Sequence, residues 1–206
     1  GKKIGKVCAL SGVCYGFIGN RMLGGYGREA QMLLLDGCTP TQVDSALERF
    51  GMAMGPLAMG DLAGLDVGYK AREGRTDLPD DPKLYRMGTL LVEMGRFGQK
   101  TGSGFYTYNP ETRRRQSDPE IESLIKTEAK KLGVEQREVS EDEILARCFY
   151  PLINEGAKIL EVFQALIAQQ VLDGVEYRAG VGLDRDPVGG PQFMKIKRRH
   201  QRRHRG

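Results

Sequence analysis

Apolar side chains recur every three or four positions through much of this chain, a spacing that places them on one face of a helix. The first such run stops at Asp36-Gly37 and contains Ile18, Met22, Tyr26, Ala30, Leu33 and Leu34. This run predicts one buried helical face. Because similar runs follow it along the chain, we predict an all-α protein.

The later helices are predicted from their start and stop signals. Thr39-Pro40, with Gln42 three residues after Thr39, is a capping box that heads a helix ending at Gly51. Five further helices are predicted. Four begin at Pro56, Asp81, Ser117 and Ser140, and one runs through Leu62, Leu65 and Tyr69. A glycine-rich run at 98–104 then leads into residues 105–108, whose aromatic side chains predict a short extended segment.

The composition indicates a globular chain, because 40% of its 206 residues are hydrophobic and 28% are charged. The last twelve residues, KIKRRHQRRHRG, contain seven Lys and Arg and no acid, which leaves the remainder mildly acidic. No aromatic residues interleave these charges, so we expect no specific nucleic-acid site. No apolar run is long enough for a membrane span. The start GKKIGKVCAL is neither a Met start nor a signal peptide, so we expect a piece of a longer protein.

The cysteines and histidines do not form a metal-binding pattern. Four cysteines are scattered without a CxxC pair, which favours reduced, cytosol-like surroundings over zinc or disulfides. The histidines are His200 and His204, both in the basic tail. Their spacing would suit a metal if the tail were helical, but the adjacent arginines favour a solvated tail. We therefore predict no metal, and no histidine outside the tail to act as a base.

A series of residues recurs in order along the chain. The first copy is Arg21, Glu29, Leu33-Leu34, Val43-Asp44, Gly51 and Gly55-Pro56, and the second is Arg147, Glu155, Ile159-Leu160, Leu172-Asp173, Gly180 and Gly190-Pro191. Such an order favours a duplicated helical unit whose copies bury their faces against each other, and the alternative is coincidence among common helix residues. The polar, proline-containing stretch 109–118 is interpreted as the linker between the copies.

Two polar side chains are candidates for binding. Asn20 lies at the start of an apolar helix, where an amide orients a carbonyl or hydroxyl without titrating. The alternative is an amide that satisfies nearby backbone groups. Lys100 lies in GQKTGSG, residues 98–104, which either cradles a phosphate with backbone N–H groups or simply connects two elements.

Two other polar features are interpreted as structural. The letters GYGREA, residues 25–30, match a GxGxxA dinucleotide fingerprint, but that fingerprint works at a strand-to-helix turn and here it falls inside a predicted helix. We therefore predict no nicotinamide-binding loop in this chain. Arg21 is expected to pair with Glu29 or Glu48.

Three motifs in order resemble a known family. They are GFIGNR with REAQMLLLDG, then VDSALERFGMAMGPLAMGDLAGLD, then GRFGQKTGSGFYTY, with a later element in YPLINEGAKILE. The chain resembles the C-terminal part of 3-hydroxyacyl-CoA dehydrogenases, especially those within multifunctional fatty-acid β-oxidation enzymes. The resemblance is close over residues 14–108 and weakens from Val162 onward. Tyr15 stands where the family usually has Pro, and Gly19 where an aliphatic residue is common.

The resemblance implies an all-α, duplicated helical domain like the C-terminal domains of 6-phosphogluconate dehydrogenase and 3-hydroxyacyl-CoA dehydrogenase, with the Rossmann domain absent. It implies a first unit at 1–108 and a divergent second unit at 119–194, on either side of the linker at 109–118. The basic tail at 195–206 has no counterpart in the family. In the family the Asn of the GFIxNR stretch lies at the substrate, so Asn20 is the implied catalytic and substrate-binding residue.

The resemblance also implies a reaction and partners for the whole enzyme. That enzyme oxidises 3-hydroxyacyl-CoA to 3-ketoacyl-CoA with NAD, which the missing Rossmann domain binds, so this chain alone is expected to be inactive and to bind no cofactor. The expected partners are an acyl-CoA, that Rossmann domain, and a second helical unit in the same chain or in a homodimer. We expect a cytoplasmic location, with a peroxisomal one as the alternative.

Two other functions remain open from the sequence. The chain is alternatively a non-catalytic module that makes an oligomer interface and binds an acidic partner through its tail. It is alternatively the helical domain of another hydroxyacid dehydrogenase built in the same way.

Overall fold

The computed structural model describes residues 2–6 and 11–172. Residues 173–194 of the predicted second unit at 119–194, and the tail 195–206 with His200 and His204, lie outside the described residues. The chain is mostly helical, as predicted, and residues 13–156 form one compact unit that contains the site described below. In the described segments, no helix is both long enough and apolar enough to cross a membrane.

Seven α-helices and one small hairpin make up the described part of the chain. The helices are α1 (Gly19–Asp36), α2 (Pro40–Phe50), α3 (Pro56–Ala63), α4 (Leu65–Glu73), α5 (Arg86–Glu93), α6 (Pro119–Lys131) and α7 (Glu141–Leu172). The strands β1 (Thr107–Tyr108) and β2 (Arg115–Gln116) pair antiparallel. Short 3-10 helices lie at Lys2–Ile4 and Gln99–Thr101.

The core is built around α1, which packs against α2, α3, α5 and α6. The predicted apolar face of α1 is confirmed, because its residues from the second turn onward are fully buried: Tyr26, Ala30, Leu33 and Leu34. Leu47 of α2 and Met87 of α5 are buried against the same cluster. The central helix is therefore fixed by apolar contacts along most of its length, while its first turn is exposed.

The capping box of α2 is confirmed. The Gln42 backbone N–H donates to Thr39 Oγ1 at 3.2 Å, and the Thr39 N–H donates to Gln42 Oε1 at 2.8 Å. Gly51 ends this helix with a φ of 128°, in the region that favours glycine. These signals lie within a few residues of one another, which is why the sequence predicts them well.

Two helix starts differ from the prediction. The helix expected from Asp81 begins instead at Arg86, because Tyr85 has a φ of 55° and interrupts the backbone. The Asp81 side chain accepts from the Lys83 N–H at 2.9 Å and forms a local turn before that break. The cap of α6 is Asp118 rather than Ser117, since the Asp118 carboxylate accepts the N–H of Glu120 at 3.0 Å.

The segment expected to be a linker, 109–118, contains the turn and second strand of the hairpin. Asn109 accepts backbone N–H groups of the turn through its side chain, and Thr107 pairs with Gln116. Beyond it, α6 packs against α1 inside the compact unit. The division into units at 1–108 and 119–194 concerns the duplication and stays a prediction.

Candidate functional site

The loop before α1 folds back tightly onto the first turn of that helix. Gly16 has a φ of 72°, and a Cβ there would lie 2.6 Å from the backbone nitrogen of Arg21. A carbon atom this close is excluded, so only glycine fits. The Arg21 N–H donates to the Gly16 carbonyl at 3.4 Å, which joins the loop to the helix.

This close approach leaves Asn20 exposed in the first turn of α1. The residue before the helix, Ile18, provides no side-chain cap, and the first turn contains no acidic residue. The N-terminal end of α1 therefore carries a partial positive charge that no side chain neutralises. An amide at this position is available to hydrogen-bond a ligand oxygen.

Arg21 fixes the orientation of the first turn of α1, but not through the predicted partners. Its Nε atom donates to Glu155 Oε1 on α7 at 2.5 Å. The predicted pairing with Glu29 or Glu48 was wrong, because Glu29 binds Arg147 and Glu48 binds Arg115. Arg21 therefore links the start of α1 to α7 at its side, and its interpretation as structural fits this contact.

The contacts between α1 and α7 are reciprocal. Arg21 of α1 pairs with Glu155 of α7, and Arg147 of α7 pairs with Glu29 of α1 at 3.2 Å. The same number of positions separates Arg21 from Arg147 and Glu29 from Glu155. In a two-fold interface, if a residue of one copy contacts a second residue of the other copy, the equivalent contact is also made with the two copies exchanged. The two arginine–glutamate pairs follow this pattern.

The centre of this reciprocal contact is occupied by a glycine and a proline. A Cβ on Gly25 would lie 2.7 Å from the Cβ of Pro151 on α7. The interval from Gly25 to Pro151 equals the interval between the paired arginines, so the two residues lie where a two-fold axis would pass. Gly25 and Gly27 lie inside α1, which confirms that GYGREA is not at a strand-to-helix turn.

Two buried carboxylates hold the motif segments together, and sequence reasoning missed both. Asp44 accepts the N–H groups of Leu57 and Ala58 at 2.9 Å each, and the hydroxyl of Tyr106 at 2.9 Å. Asp44 is fully buried on α2, so it caps α3 from within the core. The sequence signal that could have identified Asp44 was its position as an acidic residue within the apolar face of the α2 run.

The second carboxylate, Asp61, closes the glycine-rich segment over α3. It accepts the N–H groups of Phe105 and Tyr106 at 2.9 and 3.0 Å and the hydroxyl of Tyr108 at 3.0 Å. A Cβ on Gly98 or Gly104 would overlap atoms of Asp61, so the glycines of this run permit close approach to the acid. Burial raises the pKa of the Asp61 carboxyl to about 6, and it also raises the pKa of Asp44.

Lys100 lies in the same glycine-rich run, on the 3-10 helix Gln99–Thr101. Its Nζ atom pairs with Asp66 in the first turn of α4 and lies 5.6 Å from the centre of the Phe97 ring. The Thr101 hydroxyl accepts the N–H of Phe97, the residue immediately before the run, at 2.9 Å. These contacts connect the run to α4, and a substrate contact for Lys100 stays a prediction.

Nothing among the described residues suggests a bound metal. No group of three or more His, Cys, Asp and Glu side chains in this part of the chain is arranged to hold an ion. Burial raises the pKa of the Cys38 thiol to about 11 and that of the Cys148 thiol to about 12, so both remain protonated near neutral pH.

The arrangement of motifs is that of a known family. Residues 16–108, which contain Gly16, Asn20 and both buried carboxylates, match the family described as the C-terminal domain of 3-hydroxyacyl-CoA dehydrogenase. This segment of the chain belongs to that family. The match confirms the resemblance that the three ordered motifs indicated.

Relatives extend the similarity beyond that segment. Peroxisomal bifunctional enzymes of Danio rerio and Homo sapiens are each 43% identical to this chain, over 207 and 205 residues. The alignments cover 94% and 93% of this chain but 28% of each relative. The alpha subunit of the fatty acid oxidation complex of Pseudomonas syringae is 30% identical over 97% of this chain and 29% of its own length.

A solved structure shares the fold. The dehydrogenase part of multifunctional enzyme 1 from C. elegans is similar to this chain with a TM-score of 0.62 and 30% sequence identity. The similarity covers 78% of this chain and 36% of that one. This chain spans a little over a quarter of the length of the zebrafish and human relatives.

Proposed function

We propose that this chain is the substrate-side helical part of an NAD-dependent 3-hydroxyacyl-CoA dehydrogenase of fatty-acid β-oxidation. The observation that supports the proposal is Asn20, exposed at an uncapped helix start within the family segment. Gly16 and Arg21 hold that start from two sides, through the loop and through Glu155. A polar side chain on a helix start that is held in this way is suited to orienting a substrate.

Asn20 acts in this proposal by hydrogen bonding. The amide N–H of its side chain donates to an oxygen of the bound 3-hydroxyacyl group, and the amide carbonyl accepts from a neighbouring donor. Because the amide does not titrate, this contact is the same at every pH at which the protein folds. Its effect is to position the reacting oxygen within hydrogen-bonding distance of a catalytic base.

The cofactor and the base of the proposed reaction lie outside this chain. The GxGxxA letters fall within α1, so residues 25–30 do not form a dinucleotide loop. NAD in the whole enzyme supplies a hydride acceptor for carbon 3 of the substrate. We therefore propose that a nucleotide-binding domain elsewhere in the protein completes the site and that this chain alone is inactive.

Reconstitution tests the proposal. This chain is assayed for NADH formation from a 3-hydroxyacyl-CoA, first alone and then mixed with a separately expressed nucleotide-binding half of a related dehydrogenase. We expect activity only in the mixture, and a loss of about a hundredfold in kcat on Asn20→Ala, the magnitude typical of removing one positioned donor.

Asn154→Ala is the matched control, because Asn154 is an exposed asparagine on α7 in the same compact unit. Its activity in the mixture should stay within about twofold of the parent chain. Turnover by the chain alone would contradict the proposal. So would full activity of Asn20→Ala in a mixture whose halves bind each other.

We also propose that the helical unit is duplicated and that α1 and α7 are equivalent helices of the two copies. The support is the reciprocal pairing of Arg21 with Glu155 and of Arg147 with Glu29. Pairing within one chain then takes the place of a homodimer. A single-copy variant that ends before α6 is expected to lose its folded state or to dimerise, as measured by analytical ultracentrifugation.

A peroxisomal location is favoured over a cytoplasmic one. The relatives from fish and human are named peroxisomal, and one from Brassica napus, 31% identical, is named glyoxysomal. Fluorescence microscopy of the full-length protein with a peroxisomal marker tests this, and a diffuse signal through the cytosol would contradict it.

A further inference from the structure

Two arginines lie beside the loop that precedes Asn20. The Arg75 guanidinium lies 4.0 Å from the centre of the Tyr15 ring, in the loop before α1. The Arg72 guanidinium lies 4.4 Å from the centre of the Tyr85 ring, and the Tyr85 hydroxyl donates to the Gly24 carbonyl at 3.2 Å. Gly24 is one helical turn, about 6 Å, beyond Asn20. Arg72 and Arg75, called the arginine cluster below, therefore border the candidate site.

Arg72 differs from the other arginines of the described segments. All but three of them have a carboxylate within ion-pair distance, and the three are Arg72, Arg113 and Arg114. Arg113 and Arg114 are exposed on the hairpin turn, whereas Arg72 is half-buried. Burial lowers the pKa of Arg72 below its ordinary value, because no described acid compensates for the lost hydration.

The stacking of Arg72 leaves its hydrogen-bonding edge available. A guanidinium that lies over an aromatic ring uses its face for the cation–π contact, while its N–H donors point along the plane. These donors match two oxygens of a phosphoryl group or a carboxylate. A half-buried arginine without an acid is therefore more strongly attracted to an incoming anion than an exposed one.

The backbone around the cluster is strained. Phe17 and Tyr85 both have positive φ, 52° and 55°, although neither is glycine. Such conformations are energetically unfavourable and persist where the surrounding structure requires them, often at ligand sites. Here the strained Tyr85 presents the ring on which Arg72 stacks, and the strained Phe17 lies in the same loop as Tyr15.

We propose that Arg72, with Arg75 beside it, binds a phosphoryl group, and that in the whole enzyme this group belongs to the nucleotide end of the acyl-CoA substrate. The identity of the ligand rests on the proposed function, whereas the anion site itself does not. Asp77 pairs with Arg75 at 2.6 Å and neutralises its charge, so the direct contact with the phosphoryl group is assigned to Arg72.

The test is a binding measurement on this chain at low ionic strength. Coenzyme A is titrated into the chain by isothermal calorimetry, and pantetheine, which has the same thiol arm without phosphates, is titrated in parallel. We expect coenzyme A to bind and Arg72→Gln to weaken its binding about tenfold or more, as the loss of a charge-assisted contact predicts. Inorganic phosphate should compete with coenzyme A, and pantetheine binding should be unchanged by the substitution.

Two further variants keep the result interpretable. Arg113→Gln removes an arginine of equal charge that also lacks a described acid, and should leave coenzyme A binding within about twofold. Arg72→Lys keeps the charge and should recover part of the affinity, while far-ultraviolet circular dichroism reports whether each variant is folded. If folded Arg72→Gln binds coenzyme A like the parent chain, or if Arg113→Gln weakens binding equally, the proposal is wrong.

The result of this binding test can be distinguished from the result of the reconstitution test of the proposed dehydrogenase. Reconstituted activity that depends on Asn20 but not on Arg72 would overturn the assignment of Arg72 to the acyl-CoA phosphate and leave the dehydrogenase function standing. Binding of inorganic phosphate that depends on Arg72, without any reconstituted activity, would support the anion site and remove coenzyme A as its ligand.

Discussion

Replacing Gly25 with Ala should destabilise the protein even though Ala favours helices. Gly25 is inside α1, where the better helix propensity of Ala contributes about 1 kcal/mol to stability. Against this, the new Cβ would lie 2.7 Å from the Cβ of Pro151, whereas carbon atoms in contact are normally about 3.5–4.0 Å apart. Both atoms belong to helix backbones or to a rigid ring, so the helices must separate by about 1 Å.

The expected size follows from these two effects. Overpacking of this kind costs about 1–3 kcal/mol, so the net loss in the free energy of unfolding should be up to about 2 kcal/mol. Gly24 and Gly27 are matched controls in the same helix, because a Cβ at either would have no neighbour within 4 Å. Gly24→Ala and Gly27→Ala should therefore be neutral or stabilise by up to about 1 kcal/mol.

Urea unfolding followed by far-ultraviolet circular dichroism measures the three variants under one condition. A second arm combines Gly25→Ala with Pro151→Gly, which removes the opposing Cβ, and this pair should be coupled favourably. If Gly25→Ala stabilises the chain as much as Gly24→Ala does, then α1 and α7 do not approach at this point and the reasoning fails.

Two other predictions concern charged groups. Burial raises the pKa of Asp61 from 3.8 to about 6, so folding favours its protonated form. The stability of the parent chain relative to Asp61→Asn should therefore fall by about 2 kcal/mol as pH rises from 4 to 7. Urea unfolding at both pH values checks this, and a difference that stays flat would refute it. A double-mutant cycle of Arg21→Gln and Glu155→Gln should give a coupling of about 0.5–1 kcal/mol that weakens in salt, because both side chains are about a quarter exposed. A coupling near zero at low salt would mean that the pair does not hold α1 to α7.

Local signals explain which parts of the fold the sequence predicts. The cap of α2 is formed by Thr39 and Gln42 alone, so it can be predicted from the sequence without any tertiary contact. The start of α5 is different, because Tyr85 is held in a left-handed conformation while its ring packs under Arg72 and its hydroxyl reaches α1. A contact between distant elements there overrides the local preference for a helix from Asp81 onward.

The same distinction applies to the site. Gly16 and Asn20 lie within one short stretch of sequence, and the motif predicts their placement directly. The partner of Arg21 lies 134 positions away on α7, and acids at Glu29 and Glu48 looked equally suitable on the sequence alone. The repeat contained the needed information, since it matched Arg21 with Arg147 and Glu29 with Glu155, but the crossed pairing follows only if the two copies are related by a two-fold axis.

Most of the family motif serves the scaffold rather than the chemistry. The glycines at 98 and 104 leave room for Asp61, and the aromatic pair Tyr106 and Tyr108 donates hydroxyls to Asp44 and Asp61. These contacts fix α3 and the hairpin within one core, and a change in any of them would leave a buried carboxylate short of a donor. Asn20 does not support a buried carboxylate in this way, because it is exposed. A chain with an intact motif at 98–108 but a changed Asn20 would therefore keep the fold and lose the proposed activity, so the family match and the function must be tested separately.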